Sequence, residues 1–332
     1  MKKLLLFFLS LIVMNSTSSP LNANSIEWIT NFEVASSQAK EQNKPIALFF
    51  TGSDWCTWCN KLSKEALETP EFADTAADKF IFVKLDYPMK TKQPDEMIHQ
   101  NRELQQHFDI KSFPTILILT PDQKEIGVTG YREGGGKEYA EHLLNIANDY
   151  VSYSRKLKQI KNLSGTELKN LYHKAQEFHL NDDEVRIVLA GMKSERQHFF
   201  LVERYRQLAN EGRFHEVESQ VIREEILSTD PTNRYLSHYQ VACIDFDAYA
   251  DEMNLGRATP DKAVSPLVQY IERFGDQDLQ NLWRINMIIS QVYRDVNDRE
   301  KALKYAECAF DCAPNETKKD IAMAIDGIKG KR

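Results

Sequence analysis

Pro45-Ile46-Ala47-Leu48-Phe49-Phe50-Thr51-Gly52-Ser53-Asp54-Trp55-Cys56-Thr57-Trp58-Cys59 is the most informative segment of the chain. Pro45 to Phe50 is an apolar run opened by a proline, the pattern of a buried strand. Thr51 to Asp54 is a short turn, and Asn60 to Leu67 reads as a helix. Cys56 therefore sits where a strand hands over to a helix. Unpaired backbone N–H groups and the helix dipole stabilise a thiolate at such a place. Two cysteines at this spacing can close a small disulfide ring and reopen it, and a thiolate is the species that attacks disulfides.

Outward from this stretch, strands and helices alternate from Ser25 to about Tyr150. Ile26-Glu27-Trp28 opens the pattern, and Phe32, Ala35 and Ala39 suit a helix over Phe32 to Gln42. Phe80 to Asp86 and Thr115 to Thr120 read as buried strands, and Glu103 to Phe108 as a helix segment. Pro121 presets the turn of Pro121 to Lys124. Glu125 to Gly130 reads as a last strand, Gly134-Gly135-Gly136 as a flexible joint, and Lys137 to Tyr150 as a last helix. Such alternation predicts an α/β layer structure.

From about Val151 the strand pattern stops. Apolar residues recur at helical spacing between turns such as Asn181-Asp182-Asp183, Gly212, Asp230-Pro231 and Gly275-Asp276. This half is expected to be all-α. Its last part resembles a tetratricopeptide unit: Tyr293, Ala302, Ala306, Ala309 and Pro314 fall where that repeat wants a tyrosine, small residues at the helix crossing and a terminal proline. Glu211 to Phe214 and Asp230-Pro231 hint at another unit, at a separation that is no multiple of the repeat.

Met1-Lys2-Lys3, the apolar run Leu4 to Met14 and the small-residue site Leu21-Asn22-Ala23 form the pattern of a secretory signal peptide, with an apolar run too short to span a bilayer. The division expected is a signal peptide over 1–23, an α/β domain over 24–150 and a helical domain over 151–332. The short Lys-Lys start suggests bacterial export to the periplasm. The net charge of −7 and the lack of a basic stripe exclude nucleic acid as the expected partner. Five cysteines are an odd number, so Cys243, Cys308 and Cys312 cannot all pair within the chain. They read as small buried apolar residues, and helix geometry suits a Cys308–Cys312 bridge badly. The histidines are dispersed.

A cysteine pair of this spacing also serves zinc, but zinc needs two further ligands and no second such pair occurs. No metal and no cofactor beyond a redox-active Cys56–Cys59 disulfide is expected. Asp54 to Cys59, then Lys84-Leu85-Asp86, then Phe113-Pro114-Thr115, and Gly130 resemble the thioredoxin superfamily over roughly residues 25–150, with the elements in the family's order. Trp28 to Phe32 and Thr51 to Cys56 look most like exported bacterial members, among them the terminal domain of the reductant conductor DsbD and the DsbH-type periplasmic oxidoreductases.

The resemblance implies roles. Cys56 matches the exposed nucleophile and Cys59 the resolving thiol. Trp55 matches the tryptophan that shields the pair, Phe113-Pro114 the cis-proline segment beside which an extended substrate lies, and Lys84 a lysine beneath the site. There are departures. Phe50 stands six positions before Cys56, where many members carry a buried proton-moving aspartate, so Glu65, Asp86 or water must replace it. Between the cysteines stand Thr57 and Trp58, with no histidine to stabilise a thiolate, which favours a reductant over an oxidant. Trp58 narrows substrate access. Pro88 to Asn101 is an insertion expected to form a surface loop.

The function expected is an exported thiol–disulfide oxidoreductase acting on protein disulfides and recharged by a membrane or envelope thiol reductant. The helical half is expected to select protein partners. Two rivals stay open: a partner-binding protein in which the thioredoxin-like fold is a docking module, and a Cu(I) carrier using the same thiols, with Met89 and Met97 as candidate extra ligands.

Overall fold

The computed structural model describes residues 25–330. The signal peptide read over 1–23 lies outside the described residues. The described chain divides between Ser154 and Arg155 into two compact units.

The first unit is a five-stranded mixed sheet with helices on both faces. Its elements are β1 (Trp28–Ile29), α1 (Phe32–Gln42), β2 (Ile46–Thr51), α2 (Thr57–Leu62), α3 (Pro70–Ala76), β3 (Ile81–Asp86), α4 (Asp95–His107), β4 (Thr115–Leu119), β5 (Glu125–Thr129) and α5 (Gly135–Lys158). α2 continues as one π-helical segment, Ser63–Leu67. The strand order is β1-β3-β2-β4-β5, parallel across β1, β3 and β2 and antiparallel for β4 and β5. β2 is central and buried along its whole length, which is why it reads as a continuous apolar run rather than an alternation.

Side-chain alternation along the strands sorts the core into two layers. Ile46, Leu48, Phe50, Val83, Leu85, Leu117 and Leu119 pack with Ala35 and Ala39 of α1 and with Leu104 of α4. On the opposite face Phe49 and Phe82 meet Trp28, and Phe72 of α3 joins Phe82 to Tyr139 of α5. Each large apolar side chain buried this way stabilises the unit by about 1.5–3 kcal/mol.

Three expectations are corrected. The segment Pro88 to Asn101 is not all loop: from Asp95 it is the start of α4, which absorbs the helix segment read at Glu103. Apolar periodicity missed this because α4 is docked by amides. Gln100 accepts from Phe32 N at 2.8 Å and donates to Thr30 O at 3.0 Å, and buried Asn101 donates to Asp86 O at 2.9 Å. The glycine triplet is not a flexible joint. Gly135 and Gly136 open α5, and a side chain at Gly136 would collide with the Thr69 hydroxyl. The last helix also runs past Tyr150 to Lys158, beyond the boundary between the units.

The second unit is all-α: α6 (Gly165–Glu177), α7 (Asn181–Gly191), α8 (Gln197–Asn210), α9 (Val217–Thr229), α10 (Ser237–Asn254), α11 (Pro260–Phe274), α12 (Leu279–Asp295), α13 (Arg299–Cys312) and α14 (Asn315–Lys329). Chain neighbours pack together, α12 against α13 most extensively. Ala302, Ala306 and Ala309 are fully buried and let α13 approach closely, so that Ser290 donates to Ala302 O at 2.7 Å. Tyr293 donates to Asp261 at 2.6 Å, and Pro314 caps α14. Cys243, Cys308 and Cys312 are free. None is fully buried as expected: Cys243 and Cys312 are half-buried, and Cys308 is exposed, on the outer side of α13 from Ala302 and Ala306.

Candidate active site

Cys56 and Cys59 form a disulfide at the carboxyl end of β2. Cys56 is the N-cap of α2: its backbone is extended, and its sulfur accepts the Cys59 N–H at 3.1 Å. The cap sulfur thus takes the place of the oxygen that usually satisfies the first free donors of a helix. Cys56 is 6% exposed and Cys59 is fully buried, so a partner sulfur can approach only the first.

The turn before the pair is tied down at each position. Cys56 N donates to Gly52 O at 2.9 Å. Asp86, at the end of β3, accepts from Ser53 N at 2.9 Å and from the Ser53 hydroxyl at 2.6 Å. Gly52 lies beneath the Trp55 indole, and any side chain there would collide with the ring. Asp54 accepts three backbone N–H groups, from Met89 at 2.9 Å, Lys90 at 2.7 Å and Thr91 at 3.0 Å. Those bonds, Met89 foremost, hold its carboxyl below the usual carboxylate range.

An aromatic wall stands on one side of the pair. Trp55 donates through Nε1 to Tyr87 O at 2.7 Å and meets Phe113 edge-on at 5.7 Å. Tyr87 packs on Phe113 at 5.1 Å and stacks over Phe50 at 6.3 Å. Burial pushes the Tyr87 hydroxyl well above its ordinary value. The Phe113–Pro114 peptide bond is cis. A second wall stands on the helix side. Trp58, 56% exposed, meets Tyr131 at 5.2 Å. The Lys61 ammonium lies over both rings, at 5.1 Å and 4.7 Å. Tyr131 donates to Glu65 at 2.6 Å, which raises its hydroxyl pKa.

Each residue singled out in the sequence therefore has a place. Cys56, Cys59, Trp55, Phe113 and Pro114 surround one end of the sheet, and Trp58 projects beside them. Lys84 is half-buried in β3, in register with Phe49 and on the face opposite Phe50, with no hydrogen bond or ion pair to the cysteines. Of the two acids considered for moving protons, Asp86 is engaged by Ser53 and Glu65 by Tyr131; neither is hydrogen-bonded to Cys59. Where the family's aspartate would stand, the Phe50 ring supports Tyr87 instead. Met89 is exposed on the loop, while Met97 lies on α4 in a groove with Thr30 and Phe32. Among the described residues no three His, Cys, Asp or Glu side chains group as a metal site.

Sequence reasoning did not pick out Tyr87, Tyr131 or Lys61. Their only signals were adjacency, Tyr87 directly after Lys84-Leu85-Asp86 and Tyr131 directly after Gly130.

The model of a thioredoxin-like domain matches residues 32–147. The thioredoxin-related protein DsbJ of Chlamydia pneumoniae is 32% identical over 314 residues, 93% of this chain and 89% of that protein. The disulfide bond reductase DsbH of the same organism is 35% identical over 120 residues, 36% of this chain and 72% of that protein. A solved structure of a DsbH oxidoreductase is 32% identical and covers 40% of this chain and 91% of its own, with a TM-score of 0.36.

Proposed function

Because the chain belongs to the family of thioredoxin-related DsbJ proteins, we propose that it is an exported thiol–disulfide oxidoreductase that reduces or isomerises protein disulfides through Cys56 and Cys59. The observation that carries this reading is the unequal placement of the two sulfurs at a helix start, Cys56 as the cap, mostly buried with 6% left exposed, and Cys59 sealed behind it.

In the reduced protein the Cys56 thiolate attacks one sulfur of a substrate disulfide. A mixed disulfide forms and one substrate thiolate leaves. The Cys59 thiolate then attacks Cys56 Sγ, the second substrate thiolate leaves, and the Cys56–Cys59 bond closes. The Cys59 N–H directed at Cys56 Sγ favours the anionic sulfur of the reduced protein, the attacking species of the first step. An envelope thiol reductant must supply the two electrons that reopen the ring. The name of the DsbH relative, a disulfide bond reductase, supports the reducing direction. The signal pattern of residues 1–23 supports export, and among the described residues no helix is long and apolar enough to cross a membrane.

The test is the pair of single-cysteine variants assayed on insulin and in the native envelope. Cys56→Ser is expected to abolish reduction, and Cys59→Ser to accumulate mixed disulfides through Cys56. Full activity of either variant would sink the assignment. For the helical unit we propose partner selection, supported by the tetratricopeptide-like pattern from Tyr293 to Pro314 that joins α12 to α13. Envelope partners trapped by Cys59→Ser with and without residues 159–332 test it; an unchanged set of partners leaves that unit without this role.

A further inference from the structure

Trp58 is an unusual residue to leave in the open. It stands between the two cysteines, so the chain itself places it beside the reacting sulfur, and its indole is 56% exposed. It is also held. Tyr131 packs against it at 5.2 Å, and the Lys61 ammonium spans both rings at 5.1 Å and 4.7 Å. Glu65 completes the group, accepting from the Tyr131 hydroxyl at 2.6 Å and lying 3.9 Å from Lys61. Contact with Tyr131, then Glu65, keeps Lys61 charged above the ordinary lysine range. A cation held over two rings pins them in place. The result is a rigid aromatic surface that remains accessible, built from α2, its π-helical continuation and the segment after β5.

We propose that Trp58 and Tyr131, braced by Lys61 and Glu65, are the specificity-determining residues of the reduction, and that they select disulfides in extended segments with an aromatic side chain beside the target cysteine. This rests on the oxidoreductase reading and adds the class of substrate to it. The opposite wall offers less: Trp55, bonded to Tyr87 O and packed edge-on against Phe113, is 39% exposed against 56% for Trp58. A rigid aromatic platform costs little side-chain entropy on binding, so a substrate ring that stacks on it retains most of the contact energy.

The test uses the full chain and three disulfides: hydroxyethyl disulfide, and two otherwise identical disulfide peptides with phenylalanine or glycine beside the target cysteine. The wild type is expected to prefer the phenylalanine peptide by about fivefold in kcat/KM, mostly through KM, the ratio that one good aromatic contact supplies. In Trp58→Ala and in Tyr131→Ala this ratio falls towards one, whatever happens to the absolute rates. Tyr131→Phe keeps the ring and keeps the ratio; its loss there would overturn the stacking role. Turnover of both peptides without preference in the wild type, or an unchanged ratio in both alanine variants, overturns the inference alone. Failure to turn over any of the three disulfides overturns the oxidoreductase reading, and this inference with it.

Discussion

Phe50 and Asp245 are both deeply buried, and the way each is accommodated separates the two units. Phe50 is fully enclosed by aliphatic side chains and lies under the Tyr87 ring; nothing about it needs a partner of opposite polarity. Asp245, on α10, is 3% exposed, accepts from the Tyr205 hydroxyl, and holds Arg223 through bonds of 2.9 Å and 2.7 Å. The same contrast runs through the rest of each unit. In the helical unit Arg204 pairs with Glu218 at 2.8 Å, and Asn233, Tyr270, Asp278 and Asn281 form one hydrogen-bonded chain. In the α/β unit the buried polar side chains, Ser36, Thr51, Asn101, Thr115 and Thr120, are fewer and none is charged. Buried acids and tyrosines are therefore no sign of chemistry here. Where they abound they satisfy one another and fix helix pairing; where they are scarce, the cysteine pair has the site to itself.

The contrast breaks outright if the α/β unit needs the helical one. A chain of residues 24–158, which keeps α5 whole, is expected to fold and to reduce hydroxyethyl disulfide at the rate of the full chain. An unfolded product, seen by circular dichroism, would make the two units one core. Next in size is Asp245→Ala. It leaves Arg223 and Tyr205 without their acceptor and is expected to destabilise the helical unit by about 3–5 kcal/mol, with hydroxyethyl disulfide reduction retained. Differential scanning calorimetry should show one transition moved and the other fixed; two transitions moving together would refute independent units.

Phe50→Ala is the matching change in the α/β unit, expected to cost about 3–5 kcal/mol and to loosen Tyr87 and Trp55 above it. Urea unfolding gives the first quantity and Trp55 fluorescence the second; an unaltered emission would mean that Phe50 does not support that wall. Asn101→Ala is smaller, about 1–3 kcal/mol, because it removes a buried amide and strands the part-buried Asp86 carbonyl that it satisfies. A cost near zero by urea unfolding would show that α4 is held by its apolar contacts instead.

The smallest effect is local and set by pH. The Asp54 carboxyl is depressed by the N–H groups it accepts, Met89 first, so its hold on the loop is fully present above the ordinary carboxylate pKa and is lost as pH falls through its lower folded value. Amide exchange at Met89, Lys90 and Thr91 is expected to stay slow down to about pH 4 and to speed only in stronger acid. Release of all three amides already near neutral pH would sever the loop from Asp54.

The α/β class of residues 25–150, the helical class of the remainder and the cysteine pair at the turn from strand to helix are legible in the residue order alone. They are legible there because β2 is a buried parallel strand with a continuous apolar run, and because the pair is local, three positions apart in one chain segment. The surroundings of the pair depend on long-range packing. Tyr87 and Phe113 reach Trp55 from two other strands' ends, and Tyr131 reaches Trp58 from beyond β5; no periodicity of 2 or 3.6 residues encodes a contact of that range. The same is true of α4, whose docking runs through Gln100 and Asn101. An amide that bonds a distant backbone looks, in sequence, like any solvent-facing residue, and its identity as a core contact exists only once β1 and β3 have brought their carbonyls to it.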